Sequence, residues 1–333
     1  MTCHHLSRSQ TARSWPRNLL ACLALSAAAG VLYFQFSADP GDGVPDEVVD
    51  IARLTAVDPI EVTSPSGDGE AGSAQASVSD IPAGMTAGGS NTLLEGRMAL
   101  LMNLLLIERG HARLSAVPDY TAMFMKQERI GDELGEAQVI RIKLRHEPFS
   151  VYMKWLSRDK GRELVYVEGE NNGKMLVHVG GWKARLLPTV KLDPHGKRAM
   201  EASRHPVTDA GLLEVARRCV AYRQRDLKAV SGVRCRMLDN QKFDDRDCYC
   251  FIIEYDRPEL SEGYRKVVAH IDKEYSLPVS VKNYGWPKGN ASLLATELDA
   301  QTLVEVYSYS EIRLRSQLAE ADFSRHNKAY RFR

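Results

Sequence analysis

The sequence holds 333 residues, 26% of them charged, with a formal net charge of +1. That length accommodates one large domain or two small ones and excludes a longer array. The near-neutral total averages over three unlike stretches: residues 1–36 carry +3, from Arg8, Arg13 and Arg17, residues 37–90 carry −9, and residues 91–333 supply the difference, +7.

The first stretch holds an uncharged apolar run from Leu19 to Phe36, preceded by Arg13 and Arg17, which is the pattern of an export signal or a membrane anchor. Its length sits at the lower edge of what spans a hydrocarbon core of about 30 Å. Cleavage after Ala27-Ala28-Ala29 would release a secreted protein but expose Val31, Leu32, Tyr33 and Phe34 on the new terminus, so the reading adopted is an uncleaved signal anchor. Leu19-Leu20-Ala21-Cys22 imitates a lipoprotein box, yet the apolar run follows the cysteine when it should precede it. With the basic residues on the N-terminal side, the positive-inside rule puts everything after residue 36 in the periplasm, anchored to the inner membrane and away from nucleic acid. Residues 37–90 are acidic and rich in Gly, Ser, Ala, Pro and Thr, with too little apolar surface to offset the entropy of ordering them. They read as a disordered tether with a root-mean-square span of about 40 Å.

The folded domain, residues 91–333, opens with a helix capped by Asn91 or Thr92. Leu94, Met98, Leu101, Leu105 and Glu108 follow at three- and four-residue steps until Gly110 and Pro118 stop it. Strands follow over 120–130, 138–146, 149–156, 163–168, 174–179 and 182–192, joined by turn residues, with Asn172-Gly173 suited to a two-residue hairpin. On 138–146, Ile140, Ile142 and Leu144 alternate with Arg141, Lys143 and Arg145, giving one apolar and one basic face. A second helix over 209–224 carries Leu212, Leu213, Val215, Ala216, Cys219 and Val220 as its stripe, and the cations at its end suit the helix dipole. Further strands fall near 232–238, 248–255, 265–272, 278–284 and 302–314, where Tyr249, Phe251, Ile253 and Tyr255 alternate. The total is about eleven strands in one sheet, which must curl, close or split. With helices gathered on one side, the fold class is α+β.

An exported domain meets an oxidising compartment, so Cys219, Cys235, Cys248 and Cys250 are disulfide candidates. A turn over 239–245 centred near Lys242 would set Cys235 opposite Cys248 or Cys250, giving one cross-strand bridge and leaving a thiol that Cys219 could take. The Cys-x-Cys at 248–250 has no second pair and no spaced histidine, so no metal is expected, and no cofactor.

His-Glu-x-x-His, Gly-x-Ser-x-Gly and a phosphate loop are all absent. Gly169-Glu170-Asn171-Asn172-Gly173-Lys174 imitates the last, but it is one residue short and precedes a strand where a helix is required. His146, His178, His205 and His270 fall on separate elements, and carboxylate pairs such as Asp244-Asp245 fall in turns, without the burial that tunes an acid or base. No enzyme is expected.

Three stretches resemble bacterial outer-membrane lipoprotein carriers of the LolA, LolB and RseB-like superfamily. The run from Val268 to Val279 resembles their strand, Asp-Lys turn, Leu-Pro and strand hairpin. Leu164-Val165-Tyr166-Val167-Glu168 with Asn172-Gly173-Lys174-Met175-Leu176 resembles their strand, Asp-Gly-Lys turn and strand, with Asn in place of Asp. The run from Val306 to Leu314, then Ala321-Asp322-Phe323, resembles their last strand and closing turn. Within that superfamily the run from Arg145 to Trp155, and Asp322-Phe323 with Tyr330 and Phe332, resemble a bacterial family of unknown function numbered 1571.

The resemblance implies a curved antiparallel half-barrel with helices covering its concave side, where an acyl chain or a partner's lipid anchor would sit. Leu101, Leu105, Phe124, Ile140, Ile142, Leu144, Met153, Trp155, Phe251 and Ile253 are the cavity candidates. Arg145 joins them because the carriers place a basic residue before a proline at a strand end, where it influences cargo release; here the spacing is Arg-His-Glu-Pro, shifted by two. The expected function is non-catalytic binding of an acyl chain, a lipoprotein or another amphiphile. The alternatives are a tethered protein-interaction or sensor module with a packed interior, and a hydrolase, which would need polar residues converging in one pocket.

Overall fold

The computed structural model describes residues 92–181, 187–289 and 293–332. The expected anchor, the tether, the Asn91 cap and the start of the strand at Trp182 lie outside the described residues. The chain begins with β1 (Thr92–Glu95) and α1 (Gly96–Ser115). It continues through β2 (Asp119–Ile130), β3 (Glu133–Leu134), β4 (Gln138–Arg145), β5 (Ser150–Trp155), β6 (Glu163–Val167), β7 (Met175–His178) and β8 (Val190–Leu192). The short α2 (Lys197–Met200) and the longer α3 (Leu212–Asp226) follow, then β9 (Val233–Phe243), β10 (Arg246–Tyr255), β11 (Lys266–Asp272), β12 (Pro278–Tyr284), α4 (Ala295–Thr302) and β13 (Leu303–Leu314).

Thirteen strands form one antiparallel sheet, open at β1 and β8. The order is β1-β9-β10-β11-β12-β13-β2-β4-β5-β6-β7-β8, with β3 paired to β2 off the path. The last strand therefore joins the two runs of hairpins by lying between β12 and β2. The expected α+β class and curved sheet hold, with two short strands more than the sequence indicated.

Period-two patterning sets the rows of the inner face. Phe124, Ile140 and Trp155 stand opposite one another across β2, β4 and β5. Ala122, Ile142, Met153, Leu164 and Val177 form the next row out to β7. These side chains share one core with Phe251, Ile253 and Ala269 from the far half of the sheet and with α1 and α3. A sheet whose two ends pack on the same pair of helices is a half-barrel with the helices on its concave side. Burying each large aliphatic or aromatic side chain in this core stabilises it by about 1.5–3 kcal/mol.

The opposite face is covered in part by the C-terminal segment. Tyr330 stacks on Tyr152 with ring centroids 3.9 Å apart, Lys143 Nζ donates to Asp322 at 2.7 Å, and the Arg331 N–H donates to Glu163 at 2.7 Å. Phe323 and Phe332 are buried beside Val165, Val167 and Leu176. The basic face read from Lys143 and Arg145 is thus the seat of this strap.

Several local expectations change. Thr92 pairs with Leu238 in β1, so it does not cap α1. Gly110 does not end α1: a Cβ there would stand 2.0 Å from the Ser276 carbonyl oxygen, so glycine is needed for close approach of helix to hairpin. Residues 207–209 form a separate 3-10 turn, and α3 starts at Leu212 behind Gly211, whose φ is +106°. Asn172-Gly173 is no two-residue hairpin, because Asn171, Asn172 and Gly173 all take positive φ in a wider connection between β6 and β7.

The tight turn lies instead at Asp244-Asp245, with φ of 52° and 60°. That moves the β9–β10 register so that Cys235 faces Ile253, while Cys250 faces Leu238. Cys235 belongs to the inner core and Cys250 to a cluster with Leu238 and Ile252 on the other face. The expected bridge from Cys235 to Cys248 or Cys250 is therefore corrected: Cys219, Cys235, Cys248 and Cys250 are free thiols.

Candidate functional site

Under α1 and α3 the concave face holds a partly open cavity of about 200 Å³. Phe124, Ile140, Met153, Trp155, Leu164 and Met175 form its apolar floor, from neighbouring strands β2, β4, β5, β6 and β7. Ile107 of α1, with Val215 and Cys219 of α3, forms the roof, and Ala199, Pro206 and Val207, from the segment that runs through α2 toward α3, close one side. Trp155 is fixed at the rim by its Nε1 donating to Gln138 at 2.9 Å and by the Arg162 guanidinium 4.8 Å from its ring centroid. Burial holds the Arg162 pKa below the ordinary guanidinium value.

A polar network borders the other side. Glu305 of β13 accepts from Tyr264 Oη at 2.6 Å, Asn283 Nδ2 at 2.8 Å and Arg204 Nε at 2.8 Å. His205 Nε2 lies 3.3 Å from it. Arg218 Nη1 donates to His205 Nδ1 at 2.7 Å, which leaves the proton of a neutral ring on Nε2, facing Glu305. Tyr307 Oη donates to Glu128 at 2.6 Å, and Lys126 Nζ donates to both Glu128, at 2.9 Å, and Ser203, at 3.1 Å. Burial disfavours the Glu305 carboxylate, but hydrogen bonds from His205, Tyr264 and Asn283 outweigh it and hold the carboxyl down at about 2. Burial and the neighbouring Glu305 and Glu128 push the Tyr307 phenol far up. Three of these contacts, Arg204 and His205 with Glu305 and Ser203 with Lys126, tie residues 203–205 to the sheet, so the network is a latch on the segment that borders the cavity.

Of the residues read from sequence, Phe124, Ile140, Met153, Trp155 and Ile253 line the cavity. Ile142, Leu144 and Phe251 share its face but are sealed in solid packing, at 0%, 1% and 0% exposure. Leu101 is half-buried on α1, and Leu105 is 59% exposed. Arg145 points to the other face, where it pairs with Glu320, donates to Ser150 at 3.0 Å and covers the Phe323 ring. Lys126, Glu128, Arg204 and Glu305 escaped the reading, and His205 was named there only as a histidine without a partner, because the five come from β2, β13 and an irregular segment that no local spacing joins. Among the described residues, no group of three or more His, Cys, Asp or Glu could hold a metal ion, and no helix is long and apolar enough to cross a membrane.

These features define a half-barrel protein with a helix-roofed, largely apolar cavity. The chain belongs to the family "Protein of unknown function (DUF1571)", whose model matches residues 117–332. No curated protein matches the sequence. Among solved structures, the Mycobacterium tuberculosis lipoprotein LppX is 10% identical, with 66% of this chain and 98% of that one covered and a TM-score of 0.37. A putative outer membrane lipoprotein-sorting protein domain from Vibrio parahaemolyticus is 15% identical, over 68% and 97%, with a TM-score of 0.31. A LolA superfamily protein from Nitrosomonas europaea is 13% identical, over 66% and 96%, with a TM-score of 0.26.

Proposed function

We propose that this protein binds an acyl chain, a lipidated protein or a similar amphiphile without catalysis, in the periplasm and tethered to the inner membrane by its N-terminal run. The observation that carries this reading is the cavity between the aromatic and aliphatic strand residues and the α1–α3 roof. An engineered apolar cavity of about 150 Å³ takes up benzene, so about 200 Å³ is room for one ring or a short alkyl stretch. A longer acyl chain gains room if the segment over residues 194–210 moves, and the Glu305 latch opposes that movement.

Polar residues do converge at this cavity, as a hydrolase would require. Glu305, held ionised down to about 2 and ringed by donors, is badly matched to general acid–base work near neutrality. His205 is likewise occupied on both ring nitrogens. The arrangement suits closure better than chemistry.

A second reading, a tethered interaction module, draws on α1, which leaves Met98 and Leu105 each 59% exposed. Native mass spectrometry of residues 91–333 from an exported preparation, before and after organic extraction, separates the two. A bound mass of several hundred daltons lost on extraction supports the binding reading, and a bare protein mass favours the interaction module.

A further inference from the structure

Two donors in this cavity have no partner. Asn103 of α1 is 2% exposed, and its Nδ2 makes no hydrogen bond; Arg223 of α3 is 3% exposed, and its Nη1 makes none. Both residues line the cavity, from helices that pack on each other. The other terminal nitrogen of Arg223 is used: Nη2 lies 2.9 Å from Asp226 and donates to Tyr255 Oη at 3.1 Å, and Tyr255 Oη donates to Asp226 at 2.9 Å. A buried donor without an acceptor costs free energy that a bound acceptor oxygen returns.

Both orphan atoms are N–H donors, so the missing group is an oxygen acceptor. Its charge follows from Asp226. That carboxylate pairs with the buried Arg223 at 2.9 Å, while Arg225 reaches it from the solvent side at 3.4 Å, so an anionic ligand at Arg223 would set a second negative charge beside Asp226 in the same buried place. A neutral carbonyl brings none. Resting on the binding reading above, we propose that the cavity recognises the carbonyl oxygen of a neutral acyl ester, through Asn103 Nδ2 and Arg223 Nη1, and selects it over both a free carboxylate and a bare hydrocarbon.

The test is equilibrium dialysis of the full chain, with the same detergent on both sides, against methyl octanoate, octanoate and nonane. Wild type should hold methyl octanoate about tenfold more tightly than nonane, as two modest hydrogen bonds allow, and more tightly than octanoate. Asn103→Leu, and separately Arg223→Lys, which keeps a cation beside Asp226, should reduce the ratio of ester to nonane affinity to less than about threefold. If wild type binds nonane and the ester equally, or prefers octanoate, the carbonyl site is overturned while the apolar cavity survives. If none of the three is retained, the binding reading falls as well. The wild-type comparison decides the matter even where a variant fails to fold.

Discussion

The backbone N–H of Leu212 donates to the Tyr120 hydroxyl at 2.8 Å, so a strand side chain caps the first turn of α3. Tyr120 is 0% exposed, and burial pushes its phenol far above the ordinary value. Gly211 makes the contact possible, since a Cβ there would lie 2.8 Å from the hydroxyl and 2.5 Å from Leu144 Cδ1. The helix roof is thereby referenced to β2, the strand that also supplies Phe124 to the cavity floor.

Tyr120→Phe keeps the ring and leaves a buried N–H without its acceptor, which costs about 1–3 kcal/mol. Urea unfolding should show that loss as a lower midpoint with an unchanged slope. An unchanged midpoint would mean that the cap contributes nothing.

Close approach at Gly110 gives a second stability prediction. Gly110→Ala forces a methyl into the Ser276 carbonyl, 2.0 Å away on both rigid backbones, so α1 or the β11–β12 hairpin must shift. In an open helix the same change would stabilise by up to about 1 kcal/mol. Here the melting temperature should fall, and a rise would show that the helix has room to move.

These sites also show what was legible in the sequence. Alternation on 138–145 assigned Ile140, Ile142 and Leu144 to the inner face, because a period of two leaves no other choice for a half-buried strand. It did not separate Ile140, at the cavity, from Leu144, sealed under Gly211, because that difference comes from where α3 lands. The disulfide expectation failed through two residues of turn placement: Asp244-Asp245 takes the left-handed positions, and Cys235 and Cys250 part to opposite faces. Gly110 was read as a helix stop because a contact with Ser276, far along the chain, leaves no local trace.

Acid should act on the protein in two windows that meet near pH 4. His270 is 1% exposed, neither ring nitrogen has a partner, and burial, aided by Lys282, lowers its pKa to about 4. A folded-state pKa below the unfolded value of about 6.5 means that the unfolded chain binds the extra proton. This stabilisation is complete above about 6.5 and is lost as pH falls toward 4, on the order of 3 kcal/mol. His270→Leu should flatten the stability profile between pH 6.5 and 4; an undiminished slope there would assign the acid sensitivity to other groups. Glu305, with its carboxyl held at about 2, acts as pH falls from about 4.5 to 2, starting where the histidine window ends.

The latch itself can be opened without touching the apolar floor. Glu305→Gln preserves shape but removes the charge that Arg204 and His205 face, and it puts an amide N–H against one of the donors around it. Arg204 and His205 are each about a third exposed, so losing their partner costs less than the roughly 3–5 kcal/mol of a fully buried pair, part of it spent locally in releasing residues 203–205 from the sheet. Limited proteolysis should then cut within 197–210 at a protease concentration that leaves wild type intact, and a bound amphiphile should leave the cavity faster. Equal cleavage in both proteins, with slower unfolding of the whole domain in neither, would show that this segment is held by its apolar contacts through Pro206 and Val207 and that the Glu305 network is not the closure.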